Sequence, residues 1–249
     1  SDDPRDRRLR TSCAVRFRDT AGDERLVLVD ASPDLRQQAL THGLRRCDAI
    51  LFTHNHVDHV WGLDETRRFN VVMQGPIEIH ADHHTMESLF RVYQHIFRRE
   101  TNVNDSFVAT LVPNVVDVGV PVDVHGLRCT PMEVLHGRLP VLAWRFEALD
   151  AGGGVAREQP GPLPLAWVTD VSSIPPETWP GLRGLRTLFL DMLRERKHPT
   201  HFTVNEAVSA AERIGAERTW FIHMTHDLRH AELDPRLPEG MALAYDGMT

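Results

Sequence analysis

The 249-residue chain has little of three things that would narrow its role at once: cysteine, net positive charge and long apolar runs. Its three cysteines, Cys13, Cys47 and Cys129, are odd in number and far apart. That argues against a disulfide framework and fits free thiols in a reducing, cytoplasmic compartment. Lys and Arg number 28 against 35 Asp and Glu, a formal net charge of −7, so no global positive field exists to hold long nucleic acid. No apolar run approaches the roughly 18–20 residues that span a bilayer, and no membrane partner is expected. The opening Ser1-Asp2-Asp3-Pro4-Arg5-Asp6-Arg7-Arg8 is too charged for a signal peptide and lacks an initiator methionine, so upstream sequence is expected to be missing. The length still suffices to bury a core without metal or disulfide staples.

Histidine is abundant instead: fifteen residues, most of them in short clusters. Thr53-His54-Asn55-His56-Val57-Asp58-His59 packs three imidazoles and a carboxylate directly after the apolar run Ala49-Ile50-Leu51-Phe52. These side chains are good ligands for a borderline divalent metal and have little use in a plain core. The run before them reads as a strand and Val60 to Arg68 as a helix, which puts the donors on the loop at a strand's C-terminal end, where α/β sheets place their chemistry. Three further candidates stand where a strand should end: His136 after Val134-Leu135, Asp170 after Trp167-Val168-Thr169, and His223 after Phe221-Ile222. Together the donors make a two-metal inventory of five imidazoles and two carboxylates, with Asp170 suited to bridging two cations about 3.5–4 Å apart.

Elsewhere, Leu26 to Asp30 reads as a buried strand and Pro33 to Leu40 as a helix that Gly43 terminates. Asp82 caps a helix carrying Leu89, Phe90, Tyr93 and Phe97, the last three read as core. Phe107 to Ala148 is β-rich, and Leu165–Val168 and Arg186–Leu190 are strands. Thr203-Val204-Asn205-Glu206 is a capping box opening a helix to Ile214, with Gly215 at its end, and Thr219 to Ile222 forms a last strand. Asp30 is expected to orient a ligating imidazole rather than to bind metal itself. No partner is indicated for His83, His84 or His125. The pattern is layered α/β, and one domain over residues 1–249 is the economical reading.

His54-x-His56-x-Asp58-His59, followed in order by His136, Asp170 and His223, resembles the signature of the metallo-β-lactamase superfamily of binuclear hydrolases. Within it the chain resembles the phosphoribosyl cyclic phosphate phosphodiesterase branch, on Asp30-Ala31-Ser32-Pro33-Asp34, Thr169-Asp170, Leu237-Pro238-Glu239-Gly240 and Tyr245-Asp246-Gly247. The resemblance implies an α/β fold, a four-layer αββα sandwich with N-terminal strand(s) missing, and two divalent ions, zinc or manganese. His54, His56 and His136 would hold one ion, Asp58, His59 and His223 the other, and Asp170 would bridge. Asp58 thereby counts among the catalytic groups. A hydroxide shared by the cations would attack a small, cyclic or linear, phosphodiester. His201, just before the capping box, is similar in position to the family's phosphate-contacting histidine and is the candidate catalytic and substrate-binding residue. His198 is its rival. The chain departs from the branch in lacking a Gly- and Thr/Ser-rich opening strand and a Cys-x-Cys-x-x-Cys element, so His226 is expected to hold no structural zinc.

Hydrolysis of a carboxylic ester, thioester or lactone by the same centre is the alternative activity, and a non-catalytic metal-binding accessory protein of the same fold is the alternative class. A transfer-RNA nuclease would need a basic arm, and this acidic chain shows no candidate. Nothing in the sequence opposes a homodimer.

Overall fold

The run Leu26 to Val29 is buried along its whole length because its strand lies inside a sheet covered on both faces, the burial expected for continuous rather than alternating apolar residues. The computed structural model describes residues 1–103 and 106–249. The chain divides into two compact units, Arg10–Asp117 and Val118–Thr249, the latter joined by Ser1–Leu9.

The first unit contains a five-stranded sheet in the order β1 (Cys13–Arg18), β2 (Glu24–Val29), β3 (Ala49–Leu51), β4 (Ile77–Ala81), β5 (Leu111–Val115). Only the β1–β2 pair is antiparallel; β2 to β5 run parallel, joined by crossovers that carry the helices. These are α1 (Leu35–Thr41), α2 (Val57–Val60), α3 (Arg67–Met73), α4 (His83–Val92) and α5 (Gln94–Phe97). Their apolar faces bury Leu26, Leu28, Ile50, Ile77, Ile79, Leu63, Met86 and Leu89 in one core. Asp82 caps α4 by accepting from the Thr85 N–H at 2.9 Å, as its sequence position indicates. Tyr93 is buried and its hydroxyl donates to the Val60 carbonyl, and Phe97 packs against the core, but Phe90 is exposed, correcting its reading as core: the buried face of α4 runs through Thr85, Met86, Ser88 and Leu89 and leaves Phe90 at its edge, its ring edge-on to that of Phe97 at 4.8 Å.

The second unit holds a seven-stranded mixed sheet in the order β12 (Met241–Leu243), β11 (Arg218–Ile222), β10 (Thr187–Asp191), β9 (Leu165–Val168), β8 (Leu139–Ala148), β7 (Leu127–His136), β6 (Val122–Val124). β9 to β12 are parallel, and β6 to β9 form an antiparallel meander. Helix α6 (Val204–Ile214) lays Val204, Ala207, Ala210, Ala211 and Ile214 on this sheet, and α7 (His230–Leu233) adds Leu233. The expected capping box is complete: Thr203 accepts from the Glu206 N–H while the Glu206 carboxylate accepts from the Thr203 N–H at 2.9 Å. Gly215 closes α6 in the left-handed conformation at φ 69°. Among the described residues no helix is long and apolar enough to cross a membrane.

Candidate functional site

In the first unit the ligand run leaves β3 and does not stay a loop throughout. His54 and His56 precede α2, but Asp58 and His59 lie on its first turn, so the expectation of one loop followed by a helix from Val60 to Arg68 is corrected. The physical reason is a close approach. Gly62 donates to the Ala31 carbonyl at 2.8 Å, and a Cβ built on it would fall 2.0 Å from the Ser32 carbonyl oxygen. Only glycine lets the chain pass there, and the passage breaks the helical run into α2, a 3₁₀ turn and α3.

His54, His56 and His59 face one another, with ring centroids 4.5 Å apart for His54–His56 and 4.3 Å for His54–His59. Asp30, fully buried at the tip of β2, sets the tautomers of His59 and His54. One carboxylate oxygen lies 2.7 Å from His59 Nδ1 and accepts the Thr53 hydroxyl at 2.9 Å, while the other accepts the Thr53 N–H at 2.8 Å. The Thr53 oxygen in turn lies 3.0 Å from His54 Nδ1 and, having given its proton to Asp30, accepts there. Both imidazoles therefore carry Nδ1–H and present the Nε2 lone pair, the form a metal ligand needs. Burial pushes the Asp30 carboxyl up, opposed by its His59 and Thr53 partners. This matches the orienting role expected of Asp30. Asp58 is half-buried, 3.7 Å from the Arg10 guanidinium. His84, for which the sequence indicates no partner, lies 3.2 Å from the amide of Asn55, which also donates to the Ser88 hydroxyl at 2.9 Å. His83 lies 3.8 Å from Glu87, and His125 occupies the β6–β7 turn at φ 51°.

In the second unit the ends of β7, β9 and β11 and the loop before α6 bring His136, Asp170, His201 and His223 together. Asp170 Oδ2 is 3.8 Å from His136 Nε2 and 3.9 Å from His201 Nε2, and Asp170 Oδ1 is 3.4 Å from His223 Nε2. Asp170, His201 and His223 each offer a donor atom within 4.8 Å of the others. His136 Nδ1 lies 2.8 Å from the Thr200 carbonyl, which can only accept, so the lone pair is again on Nε2. His201 is buried and stacks on His223 with centroids 4.9 Å apart and planes at 15°.

One residue escaped the sequence reading. Asp191, fully buried at the end of β10, accepts the Phe202 N–H at 3.1 Å and lies 3.1 Å from His201 Nδ1 and 3.6 Å from His223 Nδ1. Burial raises its carboxyl, and the two imidazoles oppose that rise. Its signal was the same as that of Asp170, a carboxylate closing a strand. His198 is half-buried, its ring 5.1 Å from that of His201, and His226 is exposed beside Asp227. The donor chemistry in each unit suits a divalent ion: imidazoles with Nε2 presented, carboxylates beside them, and a buried carboxylate behind.

Comparison with known proteins agrees with this arrangement. Residues 25–224 match the model of the β-lactamase superfamily domain. A crystal structure of a diphosphatase from the PhnP family superposes with a TM-score of 0.83 at 37% identity, covering 100% of this chain and 86% of that one. The zinc-bound PqqB of Methylobacterium extorquens shares the fold, with a TM-score of 0.68 at 19% identity over 96% of this chain and 86% of that one. Among curated proteins, an octanoyltransferase of Porphyromonas gingivalis is 31% identical over 100% of this chain and 46% of its own length. A coenzyme PQQ synthesis protein B of Xanthomonas oryzae pv. oryzae is 32% identical over 64% of this chain and 49% of its own. The chain thus spans about half the length of the curated relatives it matches. Ligand motif, fold and family model agree: the chain belongs to the metallo-β-lactamase superfamily of hydrolases and, within it, resembles the PhnP branch.

Proposed function

We propose that the chain, acting over residues 1–249 as one hydrolase domain in the cytoplasm, cleaves a small, cyclic or linear, phosphodiester. Two divalent ions, zinc or manganese, would be held by His54, His56, Asp58, His59, His136, Asp170 and His223, the positions of the family motif. When bound, such ions lower the pKa of water and neutralise charge on phosphoryl oxygens. The three thiols suit a reducing compartment: all are free, and burial pushes Cys13 up to about 12.

The observation that carries the reading is His201. It is surplus to the seven ligands, yet it is buried, fixed at Nδ1 by Asp191 and aimed with Nε2 at the Asp170 side of the site. A carboxylate behind Nδ1 stabilises the imidazolium, so His201 can give a hydrogen bond or a proton to the phosphate or the departing oxygen. A carboxylic ester has no anionic phosphoryl oxygens for a phosphate-facing imidazole to contact. The capping box places His201 ahead of α6, whose N-terminal dipole adds attraction for an anion. The diphosphatase activity of the PhnP-family neighbour supports the same chemical class.

The test compares bis(p-nitrophenyl) phosphate with p-nitrophenyl acetate on metallated protein, wild type and His201→Ala. Turnover of the phosphodiester, lost in the variant with metal content unchanged, is the expected result. Turnover of the carboxylic ester alone would refute the reading, and no turnover of either would favour the accessory-protein alternative, which the PQQ synthesis relatives make worth measuring.

A further inference from the structure

Two imidazoles end the loop between β10 and α6, and they are held in opposite senses. His201 points its Nδ1 at Asp191. His198 Nδ1 instead faces the Thr200 backbone N–H at 3.4 Å and the Thr200 hydroxyl at 3.1 Å. A backbone N–H can only donate, so Nδ1 of His198 is the acceptor and its one ring proton sits on Nε2. Among the described residues, Nε2 of His198 has no hydrogen-bond partner. The Pro199 ring between them limits how the loop can rearrange, and the Gly137 turn packs on it: a Cβ on Gly137 would meet Thr200 Cγ2 at 2.8 Å. His198 is thus a neutral, pre-set N–H donor.

Depth assigns what it would donate to. Asp191 and Asp170 are 0% and 2% exposed, His201 is 7% exposed, and His198 lies further out, half-buried, one ring beyond His201. The inner groups act where phosphorus is attacked, and the outer one stands where the departing alcohol leaves toward solvent. Resting on the phosphodiesterase reading, we propose that His198 donates a hydrogen bond from Nε2 to the leaving-group oxygen as the P–O bond breaks.

His198 transfers no proton in this step. Giving up Nε2–H would leave an imidazolate, so it stabilises the developing alkoxide, and the proton that finally neutralises that oxygen comes from His201 or water. A pre-positioned donor of this kind matters more as the leaving oxygen becomes more basic. That dependence separates the role from a structural one, which would cost every substrate alike.

The experiment measures kcat/KM of metallated wild type, H198A and H198Q on methyl p-nitrophenyl phosphate and methyl phenyl phosphate, with melting temperatures in parallel. H198A is expected to lose on the order of tenfold on the nitrophenyl ester and on the order of a hundredfold or more on the phenyl ester. H198Q, whose amide N–H stands in for Nε2–H, is expected to recover most of the difference between the two esters. Equal losses on both esters, no loss on either, or H198Q discriminating between them as steeply as H198A would overturn the proposal. Failure of wild type on both esters would overturn the phosphodiesterase reading itself, and the His198 role with it.

Discussion

Replacing Asp191 by asparagine separates function from folding more sharply than any other single change. In the wild type one buried carboxylate accepts from the Phe202 N–H, holds His201 at Nδ1 and stands 3.6 Å from His223 Nδ1. Asparagine has the same shape but only one accepting oxygen. If that oxygen stays with Phe202, the amide NH2 faces His201 and favours the proton on Nε2, and in either orientation the charge that stabilises the imidazolium is gone. A hydrogen bond to a charged group contributes about 1.5–3 kcal/mol, so the loss in kcat is expected at roughly 10- to 200-fold. Loss of the negative charge 3.6 Å from His223 Nδ1 should also cost about 10- to 100-fold in metal affinity, which requires the assay to be run at saturating metal.

Stability should move the other way. Burial raises the Asp191 carboxyl above its usual range despite the imidazoles. A raised carboxyl favours the protonated native state, so its contribution to stability is present below the unfolded pKa and is lost as pH rises through the folded value. In metal-free protein above that range Asp191→Asn removes the penalty, and the melting temperature should hold or rise. Kinetics on a phosphodiester and thermal melts of metal-free protein across pH check both halves. Wild-type kcat at saturating metal, or an activity loss matched by a fall in melting temperature, would refute the argument.

Gly62→Ala should destabilise by about 3 kcal/mol or more, since backbone must move away from a 2.0 Å approach, and should lower metal affinity because Ala31 also bonds the His59 carbonyl at 2.8 Å; denaturant titration and metal titration check it. Asp48 is buried, and although burial raises its carboxyl, Arg46, the Leu26 N–H and Arg25 together pull it below the usual range. Its stabilisation is therefore present above about pH 4 and lost as pH falls through the lowered value. Asp48→Ala should cost about 2–3 kcal/mol at neutral pH, less than a fully buried pair because both arginines are partly exposed, and should flatten the acid limb of the unfolding curve. Chelation of bound metal should lower the melting temperature by about 5–10 °C, from roughly 2.7 kcal/mol at a hundredfold excess over Kd, and an unchanged melt would argue against a metal held by this many donors.

The chemistry was legible in the sequence where residue identity and position coincide. The candidate donors show where residue types cluster or follow a motif: His54, His56, Asp58 and His59 crowd into six residues, His136, Asp170 and His223 follow in the motif's order, and the Thr203–Glu206 box marked its helix by a local hydrogen-bond pair. Asp191 was not legible: a lone aspartate after Leu190 serves equally as a turn, and its partner His201 is 10 residues on. The break of the Val60–Arg68 run was hidden for a related reason, because it is imposed by Ser32, 30 residues before Gly62. Phe90 kept its helical spacing, yet the buried face of α4 runs through Thr85, Met86, Ser88 and Leu89 and leaves it at the edge. What local periodicity cannot carry is a constraint between residues far apart in sequence.

Both units solve the same problem with the same device. A strand ends, the next residue or the one after takes a left-handed backbone, and its side chain leaves the alternation of the sheet: Asp30 at φ 62°, Asp170 at 53° and His223 at 62°. Each such residue costs about 1–3 kcal/mol and persists only where its surroundings over-determine it. The surroundings here do so. Asp30 is held by the Thr53 N–H and hydroxyl and by His59, and Asp170 by the Thr169 hydroxyl at 2.7 Å. In each unit a fully buried carboxylate then stands behind two imidazoles, Asp30 bonded directly to His59 and through Thr53 to His54, and Asp191 bonded to His201 and 3.6 Å from His223. Folding energy is thus spent to fix ring tautomers before any ligand arrives, which is what a site that presents lone pairs to cations and a hydrogen bond to phosphate requires.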